Sequence, residues 1–238
     1  MIRRIAWVFA ASTNTLFAAL TLGMAFPGAH RALAPEAFGL VEIAPRVWTD
    51  APGQREAYLA LVDEARARVA AFFDDRPPRP TLILCATRVC ARRFGVGGNG
   101  LSMADSLVMV APGGLTLGTL THEMTHARLH SQMGLRNIWR QPFPTWFDEG
   151  LATHVADHPK WPEPVTAAAR ARVREVDRFW KLDDAFRDIG VGPTYRAAAA
   201  EVAAIEAEIG RDGLLTLIAR ADAGERFGDV LRDLRGPP

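Results

Sequence analysis

Thr121-His122-Glu123-Met124-Thr125-His126-Ala127-Arg128-Leu129-His130 lies inside a stretch whose pattern is helical from Leu115 to about Met133. On a helix, positions i and i+4 stand on one face, one turn apart, so His122 and His126 can reach a single ion. Neutral imidazole is a good zinc ligand. Glu123, beside the first histidine, can reach a water on the metal without binding the metal itself, which suits a general base. His130 continues the same face by another turn. A rigid helix carries its ring too far along for the same ion, so it is expected beside the ligands or at the surface.

A catalytic zinc takes three protein ligands and keeps one place open. Downstream, Pro144-Thr145-Trp146-Phe147-Asp148-Glu149-Gly150-Leu151-Ala152 offers a second helix with two acids. Adjacent helical residues point about 100° apart, so one of the two can face the ion. His-Glu-x-x-His followed some twenty residues later by this aromatic-rich Trp-x-x-Glu-Gly-Leu-Ala helix resembles the gluzincin zinc metallopeptidases, in particular small membrane-associated bacterial relatives. The resemblance implies that Glu149 is the third ligand, that one Zn2+ is bound by His122, His126 and Glu149, and that Glu123 is catalytic. Gly150 lets helices approach closely, and Trp146 and Phe147 supply packing that brings the carboxylate to the ion. The resemblance also implies a tyrosine on a later helix whose hydroxyl faces the substrate carbonyl. Tyr195, in Tyr195-Arg196-Ala197-Ala198, matches it, against a plain core role for its ring. Thr153, Asp148 and Asp157 are candidates to orient the ligand histidines. His154 reads as a polar cleft or surface residue.

The sequence departs from two relatives of this pattern. Leu129 and Gln132 stand where a metzincin has glycine and its third histidine. Asn99-Gly100-Leu101-Ser102-Met103-Ala104-Asp105 lacks the glycine-and-glutamate signature with which aminopeptidases capture a free amine, which favours an endopeptidase acting on a peptide or protein. The alternative is a non-hydrolytic zinc-binding module that binds a partner.

Working outward, Gln54 to Phe73 carries Leu61, Val62, Ala65, Val69 and Phe72 or Phe73 at helical spacing, and Asp74–Pro80 breaks it. Thr81–Cys85 reads as a buried strand and Ser106–Val110 as a second, the latter a candidate sheet edge for an extended peptide. Gly95–Gly100 reads as a flexible loop without the lysine of a phosphate loop. After Pro164 the chain reads as helical, with breaks near Gly190–Pro193, Gly210 and Gly224. Two to four strands followed by many helices predict an α+β fold: a small mixed sheet, then a mainly helical zincin-like catalytic domain.

The chain has 238 residues, is 49% hydrophobic and 23% charged, and carries a net charge of +1. That fits one globular domain with a short extra segment. Its arginines are scattered among acids, which argues against a nucleic-acid partner. Residues 1–26 open on Arg3 and Arg4, and residues 5–26 carry no charge, enough for a membrane helix. The expectation is a single-pass signal-anchor in the inner membrane with a periplasmic catalytic domain, against a cleaved signal peptide and a secreted periplasmic protein. Residues 27–51 read as a linker and 52–238 as the metallopeptidase domain. Cys85 and Cys90 are close enough for a short disulfide, contributing about 2 kcal/mol, against two buried thiols.

Overall fold

A computed structural model describes residues 28–132, 141–157 and 164–236. Among these, a five-stranded mixed sheet is followed by a mainly helical C-terminal part, an α+β architecture. The strands are β1 (Val41–Ala44), β2 (Val47–Thr49), β3 (Thr81–Leu84), β4 (Gly100–Met103) and β5 (Leu107–Val110), in the order β1-β2-β3-β5-β4. The pairs β2–β3 and β3–β5 are parallel, and β1 and β4 close the two edges in antiparallel fashion.

Alternation along the central strands assigns two faces. Leu82, Leu84, Val108 and Val110 enter one core, packed against the helices α1 (Arg55–Phe73) and α3 (Leu117–Leu129). Ile83, Leu107 and Met109 enter another, beneath the helix α2 (Arg88–Phe94) and the segment from Ala29 to Leu40. Covered on both sides, β5 is buried at every position, as its unbroken apolar run requires. On α1 the buried residues Val62, Ala65, Val69, Phe72 and Phe73 form the expected stripe. Cys85, just past β3, is joined to Cys90 in α2 by a disulfide that ties the helix to the strand end.

The helical part comprises α4 (Thr145–Ala156), α5 (Ala167–Val173), α6 (Leu182–Ile189), α7 (Val191–Asp222) and α8 (Phe227–Arg235). All three expected breaks occur at left-handed glycines: Gly190 (φ 88°) between α6 and α7, Gly210 (φ 74°) within α7, and Gly224 (φ 110°) before α8. Phe147 on α4 meets Phe227 on α8 with ring centroids 4.7 Å apart.

Three sequence expectations are corrected. The segment 27–51, read as a linker, supplies β1 and β2 and belongs to the sheet. Ser106–Val110 is not an edge: β5 lies between β3 and β4, and the edge is β4, which opens on Gly100, the last residue of the expected loop. A single-pass inner-membrane protein finds no support. Among the described residues no helix is long and apolar enough to cross a membrane, and the segment 1–26 that carried the anchor or signal-peptide reading lies outside them.

Candidate metal centre

The site is built where α3 crosses α4. Thr116 caps α3, its hydroxyl oxygen accepting from Thr119 N at 3.2 Å. The helix then packs Leu120, Met124, Ala127 and Leu129 into the core, which fixes its rotation. The opposite turn-to-turn face presents His122 and His126, with Nε2 atoms 3.0 Å apart. The N-terminus of α4 is tethered through Trp146 N, which donates to Val176 O at 2.9 Å. Gly150 is buried so tightly against the next layer that a Cβ there would lie 2.5 Å from Ala198 O on α7. The close approach expected of Gly150 is therefore real, but it is made with α7.

Glu149 Oε2 reaches 3.3 Å from His122 Nε2 and 3.4 Å from His126 Nε2. It is buried and makes no well-formed hydrogen bond. Three donor atoms thus form a triangle of 3.0, 3.3 and 3.4 Å. Ligand bonds of about 2.0–2.1 Å in tetrahedral geometry separate donor atoms by roughly 3.3–3.4 Å, so the triangle fits such a metal. The buried carboxylate oxygen without a hydrogen bond is the atom an ion would satisfy.

His126 is held from both sides. Its Nδ1 lies 2.8 Å from Asp148 Oδ1, and Asp148 Oδ2 lies 2.8 Å from His130 Nε2. His126, His130 and Asp148 form a second grouping able to hold a metal ion. Its two 2.8 Å contacts are hydrogen-bond distances, shorter than the separation of atoms sharing one metal, so it reads as a chain that orients His126. Thr153, one turn after Glu149, brings Oγ1 to 3.5 Å from His122 Nδ1, the outer limit of such a bond. Asp157 is exposed at the end of α4 and takes no part. His154 Nε2 lies 2.7 Å from Glu206 Oε2, a polar link between α4 and α7.

The acids and histidines of the site shift one another's protonation. Burial raises the carboxyl groups of Asp148 and Glu149, but their histidine neighbours outweigh it. Asp148 ends far below the usual range and Glu149 at about 2. Burial would likewise lower His126, yet Asp148 and Glu149 raise it well above its ordinary value. Glu123 is buried, and that burial pushes its carboxyl up, with His122 and His126 opposing and Glu149 adding to the rise. Ser102 on β4 also opposes that rise, and Glu123 fills the space a side chain at Gly100 would need, since a Cβ there would lie 2.5 Å from Glu123 Oε1. Tyr195 on α7 packs edge-on to His122 at 5.8 Å between ring centroids and against Phe186 at 5.5 Å. Burial, then Glu149 and Glu123, keep its phenol protonated.

All five residues singled out in the sequence therefore lie in one neighbourhood. Gly100 and Ser102 were not foreseen, whereas His130, expected beside the ligands or at the surface, lies beside them through Asp148. A Ser-x-x-Asp pattern on a short strand carries no signal of its own, and Gly100 had read as loop flexibility. No family model, curated protein or solved structure matches the chain.

Proposed function

We propose that this protein is a zinc-dependent peptidase that cleaves internal peptide bonds. His122, His126 and Glu149 hold the ion and Glu123 acts as general base. The observation that carries this reading is the triangle of His122 Nε2, His126 Nε2 and Glu149 Oε2, beside which lies a buried carboxylate that is not part of it. A metal held only for structure has its positions filled by protein and needs no such neighbour.

Zinc would acidify a water and polarise the scissile carbonyl. Glu123 would take a proton from an attacking water on a carboxylate oxygen as the water oxygen bonds to the carbonyl carbon. It then delivers the proton to the amide nitrogen as the carbon–nitrogen bond breaks. A raised Glu123 suits both halves of this exchange. The Tyr195 phenol donates a hydrogen bond toward the oxygen on which charge develops. Asp148 fixes His126 in the tautomer whose Nε2 lone pair faces the ion. The sheet edge β4, whose Gly100 lies against Glu123, can receive the peptide as an added strand.

The test is a peptide-library digest with the full chain, with and without a chelator. Wild type is expected to cleave, and Glu123→Gln to bind one zinc without cleaving. A fully active Glu123→Gln, or His122→Ala with undiminished zinc by elemental analysis, refutes the assignment.

A further inference from the structure

A separate pocket opens at the end of the sheet from which β2, β3 and β5 start. Its volume is about 410 Å³, within the range of small-molecule sites. Four arginines line it: Arg46, Arg76, Arg79 and Arg128. None of the metal ligands does. The four come from distant parts of the chain. Arg46 sits at the β1–β2 turn, Arg76 and Arg79 in the proline-rich segment after α1, and Arg128 in the last turn of α3.

The scaffold holds them at defined positions. Leu82 N donates to Arg46 O at 2.7 Å, pinning that turn to β3. Arg79 stands between Pro78 and Pro80, which restrict its backbone. The Arg128 guanidinium is stacked over Phe73 at 4.9 Å, donates to Ser131 Oγ at 3.3 Å and pairs with Asp75 at 2.8 Å. Its Nε is buried without a partner. Asp75 and Asp105 are the acids of the lining, so four positive charges face two negative ones. Asp75 is taken by Arg128. Arg46, Arg76 and Arg79 make no ion pair among the described residues, whereas surface arginines such as Arg68, Arg172 and Arg220 each pair with a nearby acid.

Clustered guanidiniums repel one another, and an orphaned Nε–H in a low-dielectric wall is costly. A ligand with several oxyanion oxygens relieves the repulsion, because the guanidinium fork matches a phosphate or carboxylate edge. The hydroxyls of Ser106 and Ser131 already donate, to Asp105 Oδ1 at 3.1 Å and to Arg128 O at 2.8 Å, so the guanidiniums are the donors left for a ligand. We propose that this pocket binds a dianionic oxyanion group, a phosphate or a dicarboxylate, carried by a small polar molecule. A lone phosphate leaves most of the volume free for the remainder of the molecule. This inference does not depend on the peptidase reading.

The experiment is isothermal titration of the full-length protein at low ionic strength with inorganic phosphate, pyrophosphate and succinate. Each is repeated on Arg46→Ala/Arg79→Ala, on Arg76→Ala and on the control Arg92→Ala, which removes one charge elsewhere. Saturable one-to-one binding is expected for wild type and the control, weakened about tenfold or more in the pocket variants. Tighter pyrophosphate than succinate assigns a phosphate-bearing ligand, and the reverse a dicarboxylate. No saturable binding of any of the three overturns the proposal. So does equal affinity in the pocket variants, since the anion is then held elsewhere, for instance at the metal centre. Circular dichroism checks that these exposed substitutions leave the fold intact, and Arg76→Ala decides the matter if the double variant fails to fold.

Discussion

Gly150→Ala should damage the candidate metal centre from a position that supplies no ligand atom of its own. The added Cβ would lie 2.5 Å from Ala198 O, 2.7 Å from Ala198 C and 3.0 Å from Val202 Cγ2. Two of these are backbone atoms and cannot rotate aside. Relieving the overlap requires α4 and α7 to part by roughly 0.8–1 Å to reach an ordinary carbon–oxygen contact. Overpacking of this kind costs about 1–3 kcal/mol, offset by up to about 1 kcal/mol from the better helix propensity of alanine. A net loss of about 1–2 kcal/mol corresponds to a melting temperature lowered by roughly 2–8 °C in a chain of this size. The larger effect should be on metal. Ligand distances tolerate about 0.2 Å, so even half the displacement falling on α4 pulls Glu149 out of range. Zinc affinity, measured by competition with a chromophoric chelator, is expected to fall about tenfold or more. Calorimetry of chelated and zinc-loaded protein separates the two effects, because lost affinity shrinks the stabilisation that zinc confers. If the variant melts at or above wild type and binds zinc as well, the α4–α7 contact does not set the carboxylate, and this reasoning fails.

Asp148→Asn removes the charge that orients His126 while keeping the shape. Zinc affinity or turnover should fall about 10–100-fold, and equal values in both proteins would show that the 2.8 Å contact is incidental. Asp222 is half-buried, with Oδ1 unpartnered, and sits at about 6 instead of 3.8. Burial is the main cause, with His130 and Arg128 opposing and Asp148 adding to the rise. The folded state therefore holds this proton more tightly than the unfolded chain, and stability present below pH 3.8 is lost as pH rises toward about 6. About two units correspond to roughly 2.7 kcal/mol, discounted for solvent to about 1 kcal/mol. Asp222→Asn should accordingly melt about 2–4 °C above wild type near neutral pH and show no gain near pH 4; an equal gain at both would contradict the assignment.

Much of this arrangement was legible because its signals are local. His122, Glu123 and His126 lie within five residues, and helical geometry alone puts the two imidazoles together. The apolar stripe of α1 and the left-handed glycines at 190, 210 and 224 carry their own punctuation. The strands β1, β2 and β4 do not. Each has three or four residues; β1 and β2 form a hairpin that joins the sheet through a distant strand, Val47 beside Leu82, and β4 is held as a hairpin on β5, Gly100 beside Val110. A glycine opening β4 reads as a loop, whereas here its missing side chain makes room for Glu123. The helix around the histidines stops at Leu129, followed by a short 3-10 turn at His130–Gln132, instead of continuing to Met133.

The same helical geometry that excludes Asp148 as a ligand explains why it stands next to one. Neighbouring residues on α4 diverge by about 100°, so they cannot both point at one ion. An imidazole, however, offers two nitrogens on different sides of its ring. With His126 standing opposite the step between residues 148 and 149, Glu149 Oε2 comes to 3.4 Å from Nε2 while Asp148 Oδ1 comes to 2.8 Å from Nδ1. The two carboxylates divide the tasks of sharing a metal with the ring and fixing the ring's proton on the far side. His122 receives no such pairing, because its Nδ1 faces only the Thr153 hydroxyl at 3.5 Å. The candidate centre is therefore asymmetric: on the proposed assignment His126 is the firmly oriented ligand and His122 the looser one. Exchanging Asp148 should harm metal binding more than exchanging Thr153, and the opposite ranking would place the anchoring histidine at 122.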